Sequence, residues 1–185
     1  MSGATPIRLV GSVGTDHHPF VRMLQWIAAA QTSIDGLHAL VQRGATPPLD
    51  GLETVEYVGA DELEALMLAA DAVVCHGGPG TISLAVRCGH RPIVIARDPS
   101  HGEHVDDHQM RYTARLHAEG QIDMPTDLAQ LIALLSVPRP RSAAVDQTRP
   151  ELAAAARFGE LVHQLTTGAL PKRRWRQRIL LRRVP

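Results

Sequence analysis

Apolar residues along this chain switch between two spacings, and the switching predicts strands followed by helices. Residues 7–13 form a short β-branched run that breaks at Gly14. The next stretch, 20–30, places Val21, Leu24, Ile27 and Ala28 at helical intervals. Residues 37–41 predict a second strand ending at Gly44, Thr46-Pro47-Pro48 a loop, and residues 54–58 a third strand. Asp61 is placed to cap a helix over 62–70, with Glu64 completing a capping box and Leu63, Leu66, Met67 and Ala70 on one face. Residues 72–75 predict a buried strand that runs straight into His76-Gly77-Gly78-Pro79-Gly80-Thr81 and then a small-residue helix over 82–88. Gly89 ends that helix, and 92–96 is another continuous apolar strand. The polar loop 97–103 leads to a helix from about 105 to 119, Ile122 lies in a short edge segment, and Thr126 or Asp127 caps a last helix over 128–135. This alternation predicts an α/β fold with a Rossmann-like, mainly parallel sheet flanked by helices.

The 185 residues amount to one domain, and 44% hydrophobic with 21% charged residues supports a packed core. The formal net charge is zero, so the chain as a whole carries no electrostatic footprint for nucleic acid. The charge is nevertheless uneven. Lys172, Arg173, Arg174, Arg176, Arg178, Arg182 and Arg183 stand in a tail without acids, which leaves 12 basic against 19 acidic residues before it. The expected organisation is therefore an α/β domain over 1–136, a Pro/Arg-rich linker over 137–150, a helix over 151–170, and a basic amphipathic tail over 171–185 that suits an anionic membrane surface or a partner protein. Cys75 and Cys88 lie in apolar or small-residue runs and read as buried free thiols, which fits a reducing cytoplasm. No signal-peptide pattern or membrane-length apolar stretch is visible, so the expected location is cytoplasmic, peripheral at the inner face of the cell membrane.

In an open parallel sheet, ligands bind beyond the carboxyl ends of the strands. Three loops are placed there: 11–18, 76–81 and 101–109. Glycines in the second remove Cβ atoms, so that backbone N–H groups and the helix dipole behind them can meet an anion, a diphosphate being the natural guest. Thr81 adds a hydroxyl, and His76 a donor for a phosphate or a sugar hydroxyl. A plain tight turn with a satisfied histidine has the same glycines. The loop is neither a Walker A motif nor a clean Gly-x-Gly-x-x-Gly. The third loop holds His101, His104 and His108 with Asp106 and Asp107. His104 and His108, four apart, would share a helical face suited to zinc, which is the signature a metal-dependent hydrolase would need. Asp107 and Gln109 are alternatively sugar ligands, because a carboxylate accepts two hydroxyl donors while an amide both donates and accepts. Either aspartate could instead cap the following helix.

Together, residues 74–82, the Gly89-His90-Arg91-Pro92-Ile93-Val94-Ile95 segment and Gly102-Glu103-His104-Val105-Asp106-Asp107-His108-Gln109 resemble the C-terminal, donor-binding domain of family 28 glycosyltransferases. The opening Gly14-Thr15-Asp16-His17-His18-Pro19-Phe20 is similar to the first loop of its small stand-alone members. The resemblance covers about 7–136 and implies one half of a GT-B fold holding a UDP-sugar. Gly14, Thr15, His76, Gly77, Gly78, Gly80 and Thr81 would line the nucleotide side, and Asp107, His108 and Gln109 the sugar side, with Glu103 also in the donor site. The implied reaction is inverting transfer to a hydroxyl, with no metal or other cofactor required because loop donors and a helix dipole stabilise the departing UDP. His17 or His18 would deprotonate the acceptor, since imidazole titrates near neutrality. The family commonly has a ribose-binding glutamate three residues beyond the threonine, and this chain has Leu84 there. The acceptor-binding domain of larger members has no counterpart here. Both features imply expectations: a membrane-associated acceptor-binding subunit as partner and a lipid-linked or polysaccharide acceptor, or alternatively a non-catalytic nucleotide-sugar-binding module.

Overall fold

The computed structural model describes residues 6–139 and 141–142. The elements follow in the order β1 (Ile7–Ser12), α1 (Val21–Ser33), β2 (Leu37–Gln42), β3 (Glu53–Val55), α2 (Ala60–Ala69), β4 (Ala72–His76), α3 (Pro79–Arg87), β5 (Ile93–Ile95), a 3-10 turn (Pro99–His101), α4 (His108–Ala118) and α5 (Leu128–Leu135). The five strands form one parallel sheet in the order β3-β2-β1-β4-β5. Its register sets Ile7 opposite Leu37, Leu9 opposite Ala72 and Val74 opposite Ile93.

Strand side chains alternate between faces, so each strand feeds two cores. Leu9, Val74, Ile93 and Ile95 pack with Met23, Leu24 and Ile27 of α1 and with Leu131 and Leu135 of α5. On the other face Val10 and Val73 meet Met67, Ala85 and Cys88, while Cys75 and Val94 meet Ile82 and Ile122, with Tyr112 and Leu116 of α4 packed against them. The interior strand β4 is buried at all five positions, which is why its sequence is a continuous apolar run. Cys75 and Cys88 are both buried and free, and burial pushes the Cys75 thiol up to about 12.

Several local expectations shift. The third strand is Glu53–Val55 rather than 54–58. Asp61 is not a cap: α2 begins at Ala60 after Gly59, with no side-chain cap, and Asp61 lies in the first turn, where its charge faces the positive dipole end. The helix expected from 105 starts at His108, because the residues before it are committed to turns. Asp98 accepts from Ser100 N–H, and Asp106 accepts from His108 N–H. Asp127 caps α5 by accepting from Gln130 N–H at 2.8 Å, as the sequence pattern predicts. Of the expected linker, Arg139 donates to Asp123 and to the Arg91 carbonyl, while Arg141 donates to the carbonyls of Leu68 and Cys88. The expected helix over 151–170 and the tail over 171–185 lie outside the described residues. Among those residues no helix is long and apolar enough to cross a membrane.

Candidate functional site

Strands β1 and β4 are neighbours, yet the chain proceeds from β1 towards β2 on one side and from β4 towards β5 on the other. This reversal opens a crevice at the carboxyl ends of the strands. His76 closes the end of β4, and its ring sits between two glycines. A Cβ on Gly14 would lie 2.4 Å from His76 Cε1, and one on Gly78 would lie 2.2 Å from Nε2. Gly14 also has φ 81°, a conformation that side chains strain. Burial pushes His76 down to about 4, so the ring is neutral at physiological pH. Gly77 makes room for α4: a Cβ there would meet Gln109 Cβ at 2.9 Å and Thr113 Cγ2 at 3.0 Å. Gly80 faces open space. The glycines expected to cradle an anion thus divide, with three admitting neighbouring side chains and Gly80 at the first turn of α3 left clear, next to half-buried Thr81.

Sequence reasoning missed the residue that joins the loops. Arg97, directly after β5, is fully buried and donates from Nη1 to the carbonyls of His18 (2.7 Å) and Glu103 (2.9 Å), and from Nη2 to that of Val13 (3.0 Å). Its guanidinium lies 4.8 Å from the Phe20 ring centroid. One side chain therefore ties the first loop to the third. The available signal was an isolated arginine at the end of a fully apolar strand. Glu103, expected in the donor site, has its carboxylate engaged within the protein. Its carboxylate accepts from Arg22 Nε (3.0 Å), Arg22 Nη2 (2.7 Å) and Asp98 N–H (2.9 Å), and it is buried. A cleft of about 380 Å³ lined by Pro19, Val21, Arg22, His101, Gly102 and Glu103 runs along the outer side of this strut.

At the rim, imidazoles and carboxylates alternate. Asp16 Oδ1 accepts from His18 N–H at 2.7 Å and lies 2.7 Å from His18 Nδ1, while Asp16 Oδ2 lies 3.5 Å from His104 Nε2. His104 Nδ1 in turn is 3.3 Å from Asp106 Oδ1, which lies 2.9 Å from His108 Nδ1. Partial burial opposes ionisation of Asp16, but the hydrogen bonds from His18, helped by the charge of Arg97, hold its carboxyl below the usual range. Hydrogen bonds from His108 do the same for half-buried Asp106. A proton on His18 Nδ1, shared with Asp16, leaves the Nε2 lone pair free to act as a base. His17 projects into solvent, its side chain 85% exposed.

Three consecutive residues of the third loop separate. Asp107 is exposed and pairs with Arg111 at 3.2 Å, and His108 is exposed, whereas Gln109 turns inward against Gly77. Gln109 Oε1 and Arg97 Nε are the buried side-chain polar atoms left without a partner among the described residues. Thr15 is exposed on the first loop. The alternative zinc arrangement of His101, His104 and His108 does not assemble among the described residues. His104 precedes α4, so it shares no helical face with His108, and His101 turns towards Asp98 at 4.0 Å. Leu84 packs with Leu63 and Leu66 against the core beneath α2 and α3.

Comparison with known proteins agrees with this architecture. Residues 27–165 match the glycosyltransferase family 28 C-terminal domain, three-quarters of the chain. The chain belongs to that family. The match begins within α1 and runs past residue 136, where the motif resemblance ends. No curated protein sequence matches significantly. Among solved structures, the calicheamicin glycosyltransferase is similar at 14% identity and a TM-score of 0.53, with 90% of this chain and 45% of that one covered. The kitacinnamycin glycotransferase is similar at 19% identity and a TM-score of 0.50, with 90% and 40% covered. The fold is accordingly the C-terminal half of a GT-B glycosyltransferase, and the chain spans under half the length of these two structures.

Proposed function

We propose that this chain is the donor-binding half of a glycosyltransferase that holds a UDP-sugar in the β1/β4 crevice. The observation that carries the reading is the pairing of a clear α3 N-terminus at Gly80 and Thr81 with the unpartnered amide oxygen of Gln109, which lies against Gly77 in the same loop. The first suits the diphosphate, through N–H groups and the helix dipole. The second awaits a hydroxyl donor, as a sugar supplies. His18, oriented by Asp16, takes the proton of the acceptor hydroxyl as that oxygen attacks the anomeric carbon from the face opposite UDP, which leaves with inversion and without a metal. The acceptor is a lipid-linked or polysaccharide hydroxyl presented by a separate membrane-associated subunit, at the inner face of the cell membrane. The basic tail over 171–185 docks on that subunit or on anionic lipid.

Thermal unfolding against UDP, several UDP-sugars and GDP or TDP, with and without chelator, tests the donor. A ligand specific to the native state adds about 2.7 kcal/mol at a hundredfold excess over Kd. Selective stabilisation by one UDP-sugar, unaffected by chelator, is expected, and Gln109→Ala should lower transfer more than UDP binding. A flat response to every nucleotide, also after co-purification with a partner, would remove the reading. The packing of half-buried Leu84 against the core favours one alternative, a non-catalytic nucleotide-sugar-binding module without the ribose contact. That module would bind UDP-sugar yet show no transfer with any partner.

A further inference from the structure

The rim holds a donor set that the transfer reaction does not use as such. Asp16, His17 and His18 each offer one ligand atom, and these atoms lie within 4.8 Å of one another. His17 Nδ1 is 3.8 Å and His18 Nδ1 2.7 Å from Asp16 Oδ1, and His104 Nε2 approaches the other carboxylate oxygen at 3.5 Å. Bonds of about 2.0–2.1 Å in a tetrahedral zinc site put ligand atoms roughly 3.3–3.4 Å apart. The two separations from Asp16 Oδ1 bracket that value, so shifts of about half an ångström at His17 and His18 bring these three donors to coordination distance.

We infer that Asp16, His17 and His18 form a three-donor site for a divalent transition-metal ion of the zinc class, with water completing the sphere. Two imidazoles and one carboxylate make a borderline-soft set that prefers zinc, cobalt or copper to magnesium or calcium. Arg97 already holds the donors' loop by bonding the His18 carbonyl, so part of the ordering cost is met before the ion arrives. The positive charge of Arg97 acts on Asp16 and weakens the site, while Asp106 beside His104 acts in the opposite sense. The metal displaces the proton between His18 Nδ1 and Asp16 and draws electron density from the ring. His18 then loses its basicity, and the filled site is an inhibited state of the rim. Ion binding goes beyond the donor reading and does not depend on it, whereas the inhibition rests on that reading's assignment of His18 as the base.

The test titrates the untagged full chain with cobalt(II) and follows the visible bands of tetrahedral cobalt, then displaces the ion with zinc. One equivalent with a tetrahedral spectrum is expected. His17→Ala, which touches only an exposed ring, and His18→Gln should each weaken binding by about tenfold or more, while His101→Ala should leave it unchanged. An absent tetrahedral spectrum, or an affinity that survives His17→Ala, would overturn the assignment. UDP-sugar stabilisation of the metal-free chain reports on the donor reading alone, so the two failures are distinguishable.

Discussion

Two halves of the crevice mouth use similar residue types in opposite ways. On the inner side Arg97, Arg22, Glu103 and His76 are charged or titratable groups enclosed by partners: carbonyls for Arg97, a carboxylate for Arg22, two glycines for the His76 ring. On the rim Asp16, His17, His18, His104 and Asp106 are half-buried or exposed and bond mainly one another. A buried polar group is costly unless fully satisfied, so the inner set serves as framework. The rim groups keep contact with water and free lone pairs, which leaves them able to exchange protons or bind ions. The difference shows that residue type alone does not fix a side chain's surroundings: the carboxylate of Glu103 is taken up by Arg22 and the Asp98 N–H, whereas that of Asp16 holds His18 at the rim.

The largest expected effect is on the framework. Arg97→Met leaves three carbonyls unpaired and removes the tie between loops, and should cost about 3–5 kcal/mol in denaturant unfolding. A loss under about 1 kcal/mol would erase the distinction between the halves. Next comes the pH dependence of His76. The unfolded histidine protonates near pH 6.5, the folded one only near 4. Its contribution is therefore complete above pH 6.5, falls as the pH drops towards 4, and reaches roughly 3 kcal/mol at most. His76→Gln should flatten that part of the stability profile relative to the wild type. Slightly smaller is Gly14→Ala, at about 2–3 kcal/mol from a strained φ and a Cβ against the His76 ring. Gly80→Ala, with open space around it, should leave unfolding unchanged and weaken only UDP-sugar binding. The smallest stability effect belongs to the rim, where His17→Ala should change unfolding by no more than about 0.5 kcal/mol. His18→Gln should keep the melting temperature close to wild type, while transfer falls by about a hundredfold or more. If His18→Gln unfolded the loop instead, the rim would belong to the framework.

Much of the fold was legible because hydrophobic spacing is a local record of burial. The continuous run 72–75 marks β4, buried on both faces, and Asp127 before an apolar-periodic stretch marks the start of α5. Boundaries slipped where side chains competed with the backbone. Asp106 accepting from His108 N–H delays α4, and Gly59 rather than Asp61 precedes α2.

The sequence by itself determined the strand and helix order, the parallel sheet, and the three loops that gather at its carboxyl edge, because periodicity, glycine placement and chain order are properties of the chain read along its length. Tertiary structure alone decided what each polar residue in those loops does. Arg97 reaches residues 79 and 84 positions away in sequence, Arg22 meets Glu103 across 81, and His76 occupies the space that Gly14 and Gly78 leave. Those partnerships depend on distances across the crevice, and the burial that turns a histidine or an acid into framework or working group exists only once the strands have brought the loops together.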